Sequence, residues 1–180
     1  MIIFAIALPH CLNRPLSWPA IALTDLLSSA WLRLRLRAIA GRDRTMGMTA
    51  DELNQFFAEA FPYGRAAVIQ HADGKTVRAH FVANQFQLRP GGTVSGPTMM
   101  GLADTVMYAL VLSAIGKVPL AVTTNLSINF LRKPELKPLI AEGKMLKLGK
   151  VLAVGDIIIR SEDSEEAVAH AVVTYSIPPR

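Results

Sequence analysis

From Thr98 to Ile115 the chain runs through 18 residues that carry one charge, Asp104, and apolar side chains at almost every helical angle. A helix that is hydrophobic all round has no face to give to water and must be enclosed. Pro97 suits its first turn, and Gly116 with Pro119 stops it. A segment of this length and apolarity also meets the crude requirement for a membrane span. Against that reading, Asp104 stands near its middle and strand-like sequence flanks it. The remaining solution is enclosure by protein, with a sheet curled around the helix.

The flanking sequence supplies that sheet. Thr49 and Glu52 have the spacing of a capping box, and Leu53, Phe56, Phe57 and Ala60 recur at helical spacing, until Pro62 and Gly64 end the helix. Residues 65–71 and 76–83 read as strands around Ala72-Asp73-Gly74-Lys75, whose Asp-Gly pair signals a hairpin. Arg89-Pro90-Gly91-Gly92 reads as a loop by composition. Beyond the apolar helix come strands near 121–131, 139–148, 150–160 and 166–177. Strands in runs, with no βαβ alternation, predict an α+β fold in which an antiparallel sheet wraps a long central helix.

Length and charge narrow the function. A chain of 180 residues and 51% hydrophobic content is one domain with a substantial core. The lone Cys11 excludes a disulfide framework and a cysteine-based zinc site. It fits a reducing compartment, and we expect a cytoplasmic protein. Residues 1–47 hold six Arg and no Lys against Asp25 and Asp43, a net +4. Residues 48–180 balance 13 Lys plus Arg with 12 Asp plus Glu. The basic character belongs to the first quarter, which removes the main support for nucleic-acid binding. That quarter is broken by Pro9, Pro15 and Pro19, and its Arg33, Arg35 and Arg37 alternate with Leu instead of lining one helical face. It is a poor secretory signal. We expect residues 1–47 to be an extension that precedes the real start at Met46 or Met48, with the domain spanning 48–180. A membrane-associated protein would have to rest on this extension alone.

Asp104 carries the most chemistry. A carboxylate amid Met99, Met100, Leu102, Ala103, Val106 and Met107 is costly to bury unless it is hydrogen-bonded, paired or neutralised. Bland explanations are a narrow exposed stripe, or a local bond to Thr105 or Tyr108. Thr93-Val94-Ser95-Gly96-Pro97 adds a glycine at the helix mouth, where free N–H groups and the positive end of the helix dipole point outward. Donors there, with a carboxylate eight residues further on, make a plausible acyl-transfer site.

These residues resemble the hotdog-fold acyl-CoA thioesterases, particularly the phenylacetate-pathway (PaaI-like) branch. Gly92-Thr93-Val94-Ser95-Gly96-Pro97 leading into Leu102-Ala103-Asp104 is similar to the family's G-T-x-H-G-G segment followed by L-A-D. Asn125–Arg132 is similar to its N-I-x-F-L-R-P strand, and Gly149-Lys150-Val151-Leu152-Ala153 to its G-K-x-x-A turn. The resemblance covers roughly residues 50–178. It implies thioester hydrolysis in which the Gly96 N–H polarises the carbonyl and Asp104 acts as general base or nucleophile. It implies a homodimer, in larger assemblies a dimer of dimers, with each site shared between subunits. A Ser or Thr on the first strand after the helix would position the water or carboxylate. Here that is Thr123, or Thr124 if the register slips. Strict alternation would set Thr123 with Asn125, Ser127 and Asn129 on one face, opposite Val122, Leu126, Ile128 and Phe130.

Two departures stand out. Ser95 replaces the motif His, and Pro97 replaces the second motif Gly. Where many members carry a polar amide this chain has Arg89, which could reach CoA phosphate or pair with Asp104. Ser95 and Pro97 at the helix mouth, and the cations Arg89, Arg132, Lys133 and Lys150, are the expected substrate contacts. No metal and no separate cofactor is expected, since CoA is part of the substrate. His170 reads as structural and without partners, and His71 and His80 as residues that could meet across the hairpin. Glu162–Glu166 reads as a solvated acidic turn, and Met99, Met100 and Met107 as an adaptable acyl lining. The departures leave open a non-catalytic acyl-CoA-binding or regulatory protein of the same fold.

Overall fold

The computed structural model describes residues 47–61, 67–135 and 137–179. Of the extension 1–47, all but Gly47 lies outside the described residues. Helix α1 spans Ala50–Ala60, and helix α2 spans Gly96–Ile115. The strands are β1 (Val68–Ala72), β2 (Thr76–Phe81), β3 (Leu88–Arg89), β4 (Thr93–Val94), β5 (Val122–Phe130), β6 (Leu139–Leu148), β7 (Leu152–Ser161) and β8 (Ala167–Ser176). Six of them form one antiparallel sheet in the order β1-β2-β6-β7-β8-β5. The expected wrapped helix is present as this hotdog fold.

Local chemistry explains each boundary. The Thr49–Glu52 capping box forms in both directions, with Glu52 Oε2 accepting from the Thr49 N–H at 2.8 Å. At the hairpin, Asp73 does more than the dipeptide rule requires. Its carboxylate accepts from the Lys75 N–H at 2.8 Å and the Thr76 N–H at 2.6 Å, while Gly74 supplies φ +80°. Pro90–Gly92 is a turn, as composition predicts, but Arg89, read with it as loop, belongs to β3, and the turn closes a two-residue ladder between β3 and β4. Gly91 and Gly92 there hold φ of +96° and +75°.

Helix α2 has the composition of a membrane span, yet its apolar surface is taken up by the sheet. Leu102, Val106, Met107 and Leu110 are each at most 1% exposed, packed against Ala141, Ala153, Ile157 and Ile159. Full burial of such side chains contributes about 1.5–3 kcal/mol each. Two glycines let the helix lie this close. A Cβ on Gly143 would come 2.7 Å from Val106 Cγ1, and one on Gly155 would come 2.4 Å from the sulfur of Met107. Met99 and Met107 are thus core residues, and of the three methionines only Met100 is exposed. The adaptable acyl lining expected of all three shrinks to Met100.

The two sheet edges are treated differently. Along β1, Asn54 of α1 acts as a surrogate strand, donating to Ile69 C=O at 2.8 Å and accepting from Ile69 N–H at 2.9 Å. The outer edge of β5 has no such cover among the described residues.

Candidate active site

At the mouth of α2, Ser95 is the N-cap. Its hydroxyl lies 2.8 Å from Thr98 Oγ1 and accepts from the Thr98 N–H, and Thr98 Oγ1 donates to Gln87 C=O at 3.1 Å. The Met99 N–H donates to Ser95 C=O, and Pro97 has no N–H. Of the first four helical residues, only Gly96 keeps an N–H with no partner among those described. With Ser95 and Pro97 in place of the motif residues, one donor at the helix mouth is left free among the described residues. The Phe130 ring lies beside Gly96, where a Cβ would approach it to 3.2 Å.

Asp104 sits two turns along, half-buried, on the side of the helix that carries the exposed Pro97, Met100 and Gly101. Neither local partner is used. Thr105 donates to Gly101 C=O at 2.8 Å, and Tyr108 donates to Pro119 C=O at 3.2 Å. The carboxylate is instead held from the sheet. Thr123 Oγ1 donates a short hydrogen bond to Asp104 Oδ1, and the Tyr175 hydroxyl donates to the same oxygen at 2.9 Å.

Thr123 reaches Asp104 by a different route from strict alternation. A bulge between Thr123 and Asn125 inserts Thr124, so Thr123 pairs with Tyr175 and joins Leu126, Ile128 and Phe130 on the helix side. Asn125, Ser127 and Asn129 keep the outer face, opposite Thr174, Val172 and His170. Thr124 is not the alternative partner, because its hydroxyl donates to Thr174 C=O at 3.3 Å. Tyr175 was not foreseen. The signal was present, since Tyr175 follows Ala169, Ala171 and Val173 at every second position as the only hydroxyl on an otherwise apolar face.

The remaining candidates divide. Ser95 and Pro97 stand at the helix mouth as expected, with the Ser95 side chain spent on capping. Arg89 does not pair with Asp104, because its Nε donates to Thr93 Oγ1 at 2.9 Å. Arg132 pairs with Glu166 at 3.0 Å, an exposed salt bridge that leaves the acidic turn solvated at that residue. Lys133 and Lys150 are exposed and have no carboxylate partner among the described residues. They lie at opposite ends of the sheet, one beyond Phe130 of β5 and the other in the turn before β7. His170 is not partnerless, since its Nε2 meets Asp156 Oδ1 across β7 and β8. His71 and His80 do not meet. His71 faces Asp73 at 3.6 Å and His80 faces Glu162 at 3.4 Å, because the hairpin register sets His80 opposite Val68 and His71 opposite Arg78.

An antiparallel sheet wrapped on an apolar helix, with a carboxylate on the helix and a free N–H at its mouth, defines a hotdog protein equipped for carbonyl chemistry. The thioesterase superfamily pattern matches residues 91–168, from the β3–β4 turn into β8. A candidate thioesterase from Silicibacter sp. is 43% identical, with a TM-score of 0.70 over 77% of this chain and 97% of that one. The chain belongs to the thioesterase superfamily, and it is a thioester hydrolase. More distant structures share the fold. A Haemophilus influenzae thioesterase is 20% identical (TM-score 0.65, 73% of this chain, 92% of that one). A hypothetical thioesterase of Streptococcus pneumoniae, solved with coenzyme A, is 21% identical (TM-score 0.61, 71% and 98%). No curated protein matches this chain.

Proposed function

We propose that the protein hydrolyses acyl-CoA thioesters at a site built by two protomers, with the Gly96 N–H polarising the carbonyl and Asp104 as general base or nucleophile. The observation that carries this reading is Asp104 held by Thr123 and Tyr175 on the helix whose mouth leaves only the Gly96 N–H free. The two groups cannot serve one carbonyl within a protomer. Eight residues of helix separate them by about 12 Å.

The free edge of β5 supplies the second half. Gly96 lies against Phe130 at one end of this nine-residue strand, and Asp104 is bonded to Thr123 at the other. Antiparallel pairing of two β5 edges about a two-fold axis sets the Phe130 end of one protomer beside the Thr123 end of its partner. Gly96 of one and Asp104 of the other then converge. The same operation brings Lys133 of one protomer and Lys150 of the other to one end of the joined sheet, as a pair of cations for CoA phosphates.

As general base, Asp104 takes a proton from water while the water oxygen bonds to the carbonyl carbon. The carbonyl oxygen gathers negative charge against the Gly96 N–H, the carbon–sulfur bond breaks, and the thiolate leaves with the proton. As nucleophile, Asp104 bonds to the acyl carbon and displaces the thiolate to give a mixed anhydride; water then cleaves the anhydride to the free acid and the Asp104 carboxylate, and its released proton goes to the thiolate. The solved complex of the Streptococcus pneumoniae relative with coenzyme A supports the choice of thioester. The three matched motifs favour the phenylacetate-pathway branch, and a reducing cytoplasm suits the single cysteine.

A second reading, acyl-CoA binding without turnover, draws on Ser95 and Pro97 in place of the motif residues. Release of free thiol from a panel of acyl-CoAs, with equilibrium binding of the same panel, separates them. Turnover of any member supports hydrolysis. Binding without thiol release supports the regulatory reading.

A further inference from the structure

We infer that Tyr175 is the positioning residue of the Asp104 carboxylate, occupying Oδ1 together with Thr123 so that Oδ2 alone faces the substrate. This rests on the reading of Asp104 as the reacting carboxylate and says which of its oxygens reacts and what selects it.

A carboxylate turns about its Cβ–Cγ bond between two equivalent orientations, so by itself it presents either oxygen. Here the symmetry is broken. Both hydroxyl donors converge on Oδ1, while Oδ2 has no hydrogen-bond partner among the described residues. The two donors differ in how firmly they are held. Thr123 stands on the exposed edge strand. Tyr175 is 3% exposed, and its ring is clamped. Tyr108 stacks on it with centroids 5.9 Å apart at 18°, and Phe57 of α1 stacks on Tyr108 at 5.8 Å and 23°. The hydroxyl also lies 3.2 Å from Asp104 C=O, so it reads the helix backbone as well as the side chain. A phenol fixed at both ends cannot swing away as a threonine hydroxyl can.

The donor is also durable. Burial above all pushes the Tyr175 phenol above its ordinary range, so the hydroxyl stays protonated, and stays a donor, at neutral pH.

Tyr175→Phe keeps the ring, the stack and the burial while deleting the donor. We expect kcat to fall about tenfold with KM little changed, as for loss of one interaction with the reacting group. Carbon-13 NMR of the Asp104 carboxyl at neutral pH, without substrate, should show a changed chemical shift, since one of the two donors to Oδ1 is gone. A tyrosine that only fills space would leave kcat, KM and this resonance as they are, because phenylalanine fills the same space. Unchanged kcat and carboxyl resonance in Tyr175→Phe, with Asp104→Asn inactive, overturn the positioning role alone. Turnover that survives Asp104→Asn overturns the reading beneath it as well.

Discussion

At the scale of the residue, Asp104 draws its meaning from its exception to a pattern. One charged group in a run of 18 residues had to be exposed, hydrogen-bonded or functional, and that was legible without coordinates. Asp104→Asn keeps volume and can still accept from Thr123 and Tyr175, so its stability should change by about 1 kcal/mol or less. Turnover should fall by about two orders of magnitude or more, because an amide neither takes the proton nor attacks. Steady-state hydrolysis and acyl-CoA binding on the same variant check this. Binding should survive, and turnover near that of the wild type would sink the assignment. Gly96 was legible for a similar reason, as a glycine placed at a helix mouth. Thr123 meets Asp104, but from the opposite face to the one strict alternation sets, because a one-residue bulge reverses alternation and leaves no mark in composition. Tyr175 escaped because a tyrosine in an apolar strand reads as core. Its hydroxyl gained a partner only when β8 was laid under α2.

Among the elements, those with local causes were legible and those with distant causes were not. The Thr49–Glu52 box and the Asp73 turn are written within four residues, and both form. The short β3–β4 ladder depends on contacts such as Ser95 N–H to Gln87 C=O, which no local pattern announces. The close seat of α2 on the sheet is another tertiary product. Gly143 permits it, with Val106 Cγ1 and Ile157 Cδ1 lying 2.7 and 3.1 Å from where a Cβ would stand. Neither neighbour can retreat, since both are fully buried. Gly143→Ala should therefore destabilise the fold by about 1–3 kcal/mol, the usual cost of forcing one extra carbon into a packed core. Urea denaturation measures it. An unchanged midpoint would mean that helix and sheet are less closely engaged than the structure shows.

For the whole molecule, two boundaries decide what the working unit is. The first lies at Met48, where the N–H donates to Leu112 C=O at 3.1 Å near the carbonyl end of α2. A chain beginning at Met48 would place its charged amine there, a favourable position against the helix dipole. Its melting temperature should match that of the full chain. Loss of soluble expression would show that residues 1–47 belong to the domain. The second boundary is the β5 edge. Asn54 covers the opposite edge, whereas β5 leaves Val122 and Phe130 about half exposed at its two ends. An uncovered strand of nine residues invites pairing with a copy of itself. Sedimentation at micromolar concentration should therefore show at least a dimer. Whether the dimer makes the site is a separate question, and complementation answers it. Asp104→Asn removes the carboxylate, and Gly96→Pro removes the donor at a first helical position whose backbone suits proline, with the half-exposed Phe130 ring shifting to admit the added atoms. Each variant alone should be inactive. Mixed and reassembled in equal amounts, they should recover about a quarter of wild-type turnover, because half the dimers are mixed and each holds one whole site. If both groups worked within a single protomer, no mixture would recover anything, and a monomer in sedimentation would remove the shared site outright.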